Sequence, residues 1–152
     1  MISEIKEKLG ELATEIHEGI DMPTVITTKE NLLKVIEILK NELGFNTITD
    51  VTAVDWYGRR EKRFDVVYHL RKVQSPHRVR VKVAIDDGEK VPSIVPFFEG
   101  ANWLEREVFD MFGIEFEGHP NLKRILLWDG FPGHPLRKDF FWREEVPLPE
   151  NE

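Results

Sequence analysis

The sequence predicts an α+β fold, in which helices cover a mainly antiparallel sheet in a two-layer domain that ends in an extended, irregular tail. Residues 46–85 contain three successive strand patterns joined by short turns, with helical patterns on both sides. Beyond residue 117 the chain is too rich in Gly and Pro for long elements, yet it remains dense in large apolar residues. We therefore divide it into an α+β domain, residues 1–117, and an extended C-terminal tail, residues 118–152.

The elements before the sheet are predicted from helical periodicity. Residues 2–17 carry apolar side chains at three- and four-residue steps, which predicts one amphipathic helix. Thr24–Thr27 is predicted to be a short strand. Residues 28–43 then predict a second helix, with Gly44 as its C-terminal stop.

The strands of the central sheet are predicted at residues 46–57, 64–72 and Arg78–Ile85. The last of these alternates most clearly, with Val and Ile at every second position. Such alternation predicts a strand with one face in the core and the other exposed.

The exposed face of that third strand is predicted to be basic, because it carries Arg78, Arg80 and Lys82. Residues 59–82 contain nine basic residues against two acidic ones, although the formal net charge of the chain is −7. A basic face on an acidic body suggests an oriented contact with an acidic partner. The simpler interpretation is a solvated sheet face, and the sequence leaves both open.

A short helix is predicted around residues 93–97, and a stronger helix runs from Asn102 to its stop at Gly113. Asn102 is predicted to cap the stronger helix, with Glu105 three positions later as its capping-box partner.

Glu105 also falls within the apolar arc of that helix, where a carboxylate is costly to bury unless it is paired or hydrogen-bonded. Capping is one explanation, and a basic partner from the tail is another. The candidate partners are Arg124, Arg137 and Lys138. Arg106 and Asp110 are four residues apart and are predicted to pair on the polar face, whereas Glu107 flanks the apolar arc.

Composition limits the classes of function. Apolar residues make up 41% and charged residues 32% of the chain, so we expect a soluble globular domain. No apolar run approaches the roughly 20 residues that span a bilayer, and no signal peptide is expected. The absence of cysteine excludes disulfides, iron–sulfur ligation and thiolate catalysis. The acidic net charge argues against a general nucleic-acid binder.

A metal-dependent hydrolase is the enzymatic interpretation, with Glu105, Glu107, Asp110, His119 and His134 as its site. The spacing disfavours it, because Glu105 and Glu107 point about 200° apart on a helix. The sequence contains no HExxH helix, GxSxG elbow, Walker loop or GxGxxG turn. Both histidines precede proline in turns, which suits backbone capping as well as ligation.

A family resemblance is carried by several blocks of sequence. The helix and tail read EREVFDMFGIEFEGHPNLKRIL and then GHPLRKDF, and upstream stand ITDVTAVDW, RFDVVYHL, RVRVKVAI, VPS and GANWLERE. Over roughly residues 47–141, these blocks resemble the thirty-kilodalton, or C-type, subunit of proton-pumping NADH:quinone oxidoreductase (complex I).

The resemblance implies a non-catalytic α+β subunit in the hydrophilic arm of a membrane complex. It implies that the tail packs against the hydrogenase-like large subunit of that complex, beside the small iron–sulfur subunit. Iron–sulfur clusters are then expected in partner subunits and no cofactor in this one. Attachment to the cytoplasmic face of the cell membrane is expected only through partners, and no nucleic acid is expected.

Other interpretations stay open. Related subunits occur in membrane-bound nickel–iron hydrogenases, and the electron donor and acceptor bind other subunits, so the type of complex is undetermined. A stand-alone binding module using the basic sheet face is the interpretation outside this family.

The residues expected to form the interface or its structural motif lie in the stronger helix and the tail. They are Glu105, Arg106, Glu107, Asp110, His119, Arg124, His134, Arg137, Lys138 and Asp139. The last three are expected to pair across the boundary with the large subunit, or back to Glu107 and Asp110. Because it has little regular structure, the tail is expected to lack sufficient partners within its own chain.

Overall fold

The computed structural model describes residues 1–140. Its helices are α1 (Ile2–Leu9), α2 (Leu32–Asn41) and α3 (Ala101–Phe112). Its strands are β1 (Ala13–His17), β2 (Thr24–Thr27), β3 (Thr47–Asp55), β4 (Phe64–Arg71), β5 (Arg78–Ile85), β6 (Val91–Pro92) and β7 (Phe116–Glu117).

A five-stranded sheet forms the centre of the fold, in the order β1-β2-β5-β4-β3. Its strand pairs are antiparallel except β2 and β5, which are parallel. Strands β6 and β7 form a separate parallel pair. The predicted α+β class and mainly antiparallel sheet are confirmed, and β3, β4 and β5 lie within two residues of their predicted bounds.

The core lies on one face of the large sheet. Alternate strand residues and the apolar sides of all three helices form one buried cluster, whose members include Ile5, Leu9, Val25, Leu32, Ile36, Leu39, Val66, Tyr68, Leu70, Val79, Val81, Val83, Val108 and Phe112. The intervening residues of β5, which include Arg78, Arg80 and Lys82, point to the opposite face, as the alternation predicts. Within residues 1–140, no helix is both long and apolar enough to cross a membrane.

The N-terminal prediction is wrong in its second half. Helix α1 ends at Leu9, Gly10 takes a positive φ of 51°, and a 3₁₀ turn leads into β1. There Ile16 pairs with Val25 of β2, so strand pairing overrides a helical periodicity that continues through the turn. The helix predicted at residues 93–97 is also absent, since the chain forms a turn there.

Candidate docking site on helix α3 and the strap that follows it

Helix α3 organises the region that carries most of the predicted site residues. It ends as predicted at Gly113, whose φ of 76° is left-handed and whose N–H donates to the Phe109 carbonyl over 2.8 Å. Residues 118–140, here called the strap, follow β7 and run back over α3. The site is therefore a helix with an irregular segment fastened to it.

Glu105 is fully buried on the side of α3 that faces the core. Its Oε1 accepts hydrogen bonds from the Ser93 hydroxyl, at 2.7 Å, and from the Ile94 N–H, at 3.1 Å. The predicted capping box is wrong, because the cap residue is Gly100 and Asn102 lies inside the helix. The predicted basic partner is also wrong, since both donors are neutral and belong to the segment after β6.

The interior environment favours the neutral form of Glu105. Burial raises the pKa of its carboxyl to about 7, and the bonds from Ser93 and Ile94 lower it only in part. The Tyr68 hydroxyl is also buried and has no hydrogen-bond partner among the described residues. Burial, and then the negative charge of Glu105, raise the pKa of Tyr68 well above its usual value.

Asp110 fastens the strap to the opposite side of α3. Its Oδ2 accepts the backbone N–H groups of Ile125, Leu126 and Leu127 at 3.1, 2.8 and 3.0 Å. Its Oδ1 lies 2.7 Å from a guanidinium nitrogen of Arg124. Burial acts to raise the pKa of Asp110, but these donors outweigh it and the pKa is lowered. Asp110 is thus a buried, ionised anchor, although the sequence predicts that it lies on the polar face of the helix.

Arg106 holds the same part of the strap through backbone carbonyls. Its guanidinium donates to the carbonyl oxygens of Lys123 and Arg124 at 3.1 and 2.9 Å. It also stacks 4.8 Å from the ring centre of Trp103. The predicted ion pair between Arg106 and Asp110 is therefore wrong, because the strap supplies partners that helical spacing does not reveal.

His134 closes the end of α3. Its Nδ1 lies 2.9 Å from the carbonyl oxygen of Asp110, and the nearby Leu136 N–H donates to the Met111 carbonyl at 3.0 Å. A Cβ at Gly113 would lie 2.7 Å from the His134 ring. Glycine is therefore required at Gly113 both by its positive φ and by the approach of this ring.

His119 stabilises the turn in which it lies. Its Nδ1 accepts the Asn121 N–H at 2.9 Å, so its Nε2 carries the proton and donates to the Asn102 carbonyl at 3.1 Å. Both histidines thus bind backbone. Within residues 1–140, no three His, Asp or Glu side chains are arranged to hold a metal ion, so the geometry does not support the hydrolase interpretation.

The end of the strap is held by a charged clasp centred on Arg63. The Arg63 guanidinium pairs with Asp55 at 2.9 Å and with Asp139 at 2.7 Å. The Lys138 N–H donates to the same Asp55 carboxylate at 2.8 Å. Although burial acts to raise the pKa of Asp55, Arg63 and the backbone donors hold it below its usual value.

Arg137 completes the clasp by pairing with Asp87. Arg137 and Asp139 therefore bind the sheet end of their own chain through their side chains, and Lys138 binds it through its backbone N–H. The prediction that they reach back to Glu107 and Asp110 is wrong. Glu107 is exposed, as its place beside the apolar arc allows. The sequence does not reveal the clasp residues Asp55, Arg63 and Asp87, or Ser93, because their partners are distant along the chain.

Many polar groups of the strap consequently find partners within their own chain, contrary to the sequence-based expectation, although the buried Nε of Arg137 has none among the described residues. Three large apolar side chains of this region nevertheless remain exposed: Trp103 at 60%, Leu126 at 63% and Leu136 at 54%. These exposed apolar side chains make α3 and the strap a candidate contact surface.

The comparisons with known proteins agree with this architecture. The profile of the family described as respiratory-chain NADH dehydrogenase, 30 Kd subunit, matches residues 25–146. The chain belongs to this family. The match begins within β2 and continues through α3 and the strap, so the candidate docking site lies within it.

Named relatives are C-type subunits of NADH-quinone oxidoreductase. The protein of Agrobacterium fabrum is 47% identical over 138 residues, which are 90% of this chain and 68% of that protein. The protein of Roseobacter denitrificans is 53% identical over 115 residues, 74% of this chain and 57% of the relative. The protein of Rhizobium johnstonii is 46% identical, over 91% of this chain and 72% of its own. The chain thus spans between 57% and 72% of these relatives.

A solved structure shares the fold. It is a chain from the membrane-bound sulfane sulfur reductase, an archaeal respiratory membrane complex, with a TM-score of 0.77 and 28% identity. The similarity covers 92% of this chain and 83% of that one. Similar subunits therefore occur both in complexes named NADH-quinone oxidoreductase and in a respiratory complex named sulfane sulfur reductase.

Proposed function

We propose that this chain is a non-catalytic, peripheral subunit of a complex I-like membrane-bound oxidoreductase, and that it docks against the hydrogenase-like large subunit. Its family membership and its structural similarity to a chain of a respiratory membrane complex support this function. One observation carries the docking site: hydrogen bonds and an ion pair hold the strap on α3, while Trp103, Leu126 and Leu136 remain exposed.

The chemistry of the same residues supports a structural role. Glu105 faces neutral donors in the interior, Asp110 is surrounded by donors of the strap, and both histidines bind backbone carbonyls. A general acid or base must instead reach a substrate proton. We therefore assign these side chains to shaping the docking surface.

The proposal extends to partners and cofactors. The large subunit would contact α3 and the docking tail, residues 118–152, of which residues 141–152 lie outside the described part of the chain. The small iron–sulfur subunit would lie beside the large subunit, and the redox groups would belong to these partners. The chain would meet the cytoplasmic face of the membrane only through them.

Membership of a membrane-bound nickel–iron hydrogenase type of complex is the second candidate. It stays a candidate because the similar solved chain belongs to a respiratory complex named for sulfane sulfur, so this fold is not confined to complexes named for NADH or quinone. In both candidates this chain has the same docking role, and other subunits choose the electron donor and acceptor.

Purification of the chain from its native membranes tests this function. A tagged chain in mild detergent should retain a large hydrogenase-like subunit and an iron–sulfur subunit, identified by mass spectrometry. Purification of the chain alone, from cells that contain those subunits, would contradict the proposal.

The docking site itself is tested by Leu126→Lys combined with Leu136→Lys. Burying two lysines at an apolar contact is costly, so less of the partner subunits should be retained. The matched control is Ile20→Lys, because Ile20 is fully exposed in the β1–β2 loop. Equal retention by the control and the double variant would move the docking site away from the strap.

A further inference from the structure

Two arginines lie directly opposite each other on the face of the sheet away from the core. In the antiparallel pairing of β4 with β5, the partner of Arg71 is Arg78, and both side chains are exposed. They alternate with the buried Leu70 and Val79, so they leave the sheet on the same side. We call this pair the basic corner. Like charges that face each other directly across two strands destabilise a sheet.

Neither arginine of the basic corner forms an ion pair with any described residue. Their neighbour Arg80 differs, because it binds Asp21 at 2.9 Å and donates from Nε to the Nε2 of His69 at 3.0 Å. Asp50 is paired with His69 in the next row of the sheet and makes no ion pair with Arg71. The corner thus has no ion-pair partner within residues 1–140.

The surroundings extend this positive surface. Lys82 lies on the same face, between Val67 of β4 and Ile26 of β2, and it has no acidic partner among the described residues. Arg80 lies between the corner and Lys82, but Asp21 neutralises it. The sequence predicts a basic face of Arg78, Arg80 and Lys82. In the structure it also includes Arg71, and Arg80 is already paired with Asp21.

We propose that the basic corner binds a pair of carboxylates on an acidic segment of a neighbouring protein subunit. This inference rests on the proposed function, since it requires a protein partner within a complex. Guanidinium groups recognise carboxylates with two parallel hydrogen bonds, and two adjacent arginines suit two acidic side chains. An acidic partner would also relieve the repulsion between Arg71 and Arg78.

Charge complementarity favours a protein segment over a nucleic acid or an anionic membrane. The whole chain carries a formal net charge of −7, so an extended polyanion would be repelled by the rest of the molecule. A short acidic segment would contact only the corner. The partner site is therefore local, and its binding should weaken as salt rises.

The substitution Arg78→Glu separates recognition from folding. It places a carboxylate opposite Arg71, so the melting temperature of the isolated chain should stay the same or rise. Retention of partner subunits at low salt should fall about tenfold, as when attraction becomes repulsion across an interface. The matched control is Arg59→Glu, which makes the same charge change at an exposed residue of the β3–β4 turn. Retention of partners by Arg78→Glu equal to that of the control would overturn the inference, although the proposed function would stand.

A second experiment needs no partner subunit. A fluorescent hexaglutamate peptide should bind the isolated chain at low salt, and Arg78→Glu should weaken that binding about tenfold relative to Arg59→Glu. Equal peptide binding by the two variants would refute a carboxylate site at the corner. Vesicles containing phosphatidylglycerol provide the membrane comparison: vesicle binding that depends on Arg78, without peptide binding, would also refute it and indicate a lipid surface instead.

Discussion

Glu105→Gln should make the stability of this chain less dependent on pH. The carboxyl is fully buried, its donors are the Ser93 hydroxyl and the Ile94 N–H, and no described cation compensates its charge. Glutamine has nearly the same shape and can still accept both bonds. The substitution therefore removes the ionisation and leaves most of the packing in place.

The magnitude follows from the pKa of the carboxyl, which rises from 4.5 to about 7 in the folded chain. Between these values the native state holds the proton more tightly than the unfolded chain, so the free energy of unfolding falls as pH rises. At about 1.4 kcal/mol per pKa unit, the total loss is about 3 kcal/mol. This loss of unfolding free energy should be complete above pH 7. The stability that the neutral carboxyl contributes should be fully present below pH 4.5.

Urea unfolding of the wild type and Glu105→Gln, measured from about pH 5 to about pH 8, gives this difference directly. The free energy of unfolding of Glu105→Gln, relative to wild type, should rise by about 2.5 kcal/mol across this range. Comparing the two proteins at each pH cancels the titration of other groups. Parallel pH profiles would refute the argument, because they would mean that Glu105 ionises without cost in the fold.

Three further substitutions test the anchors of the strap. Asp110→Asn should cost about 3 kcal/mol of unfolding free energy, because it breaks a buried ion pair. The control Glu107→Gln, on the same helix, should change the unfolding free energy by less than about 0.5 kcal/mol. Similar urea midpoints for the two variants would contradict the burial of Asp110. Gly113→Ala should cost at least about 1 kcal/mol of unfolding free energy, because Gly113 has a positive φ. In the double variant, His134→Ala should recover part of that cost, because it removes the ring that the new Cβ meets. Strictly additive effects of the two substitutions would argue against this contact. The carboxylate of Asp55 contributes stability that is lost as pH falls through its lowered pKa, so Asp55→Asn should make the chain lose less stability in acid. Acid unfolding followed by circular dichroism measures this difference. An unchanged profile would mean that the Arg63 clasp is unimportant.

Local sequence patterns are sufficient where an element is determined by its own periodicity. The alternation in β5 correctly predicts which residues face the core, and Gly113 correctly marks the end of α3. The same approach fails for β1, because Ile16 continues the helical spacing of α1 although it pairs with Val25 in the sheet. Periodicity cannot reveal which distant strand a segment will meet.

The structure brings together the α3 and strap residues that the sequence singles out, but the ion pairs and the helix cap predicted among them are wrong. Sequence spacing suggests that Arg106 pairs with Asp110 and that Glu105 caps its own helix. In the structure, Asp110 binds Arg124 and three strap amides, while Glu105 binds the segment that contains Ser93. Each true partner lies more than ten residues away, so a rule about neighbours on one helix cannot find it.

The central claim, that α3 and the strap form the docking surface, is tested most directly by hydrogen–deuterium exchange on the free chain and on the purified complex. Docking should increase the protection of backbone amides around Trp103, Leu126 and Leu136 in the complex. Amides of α1, on a separate part of the domain, should exchange alike in both samples. Unchanged exchange at α3 and the strap in an intact complex would contradict the account.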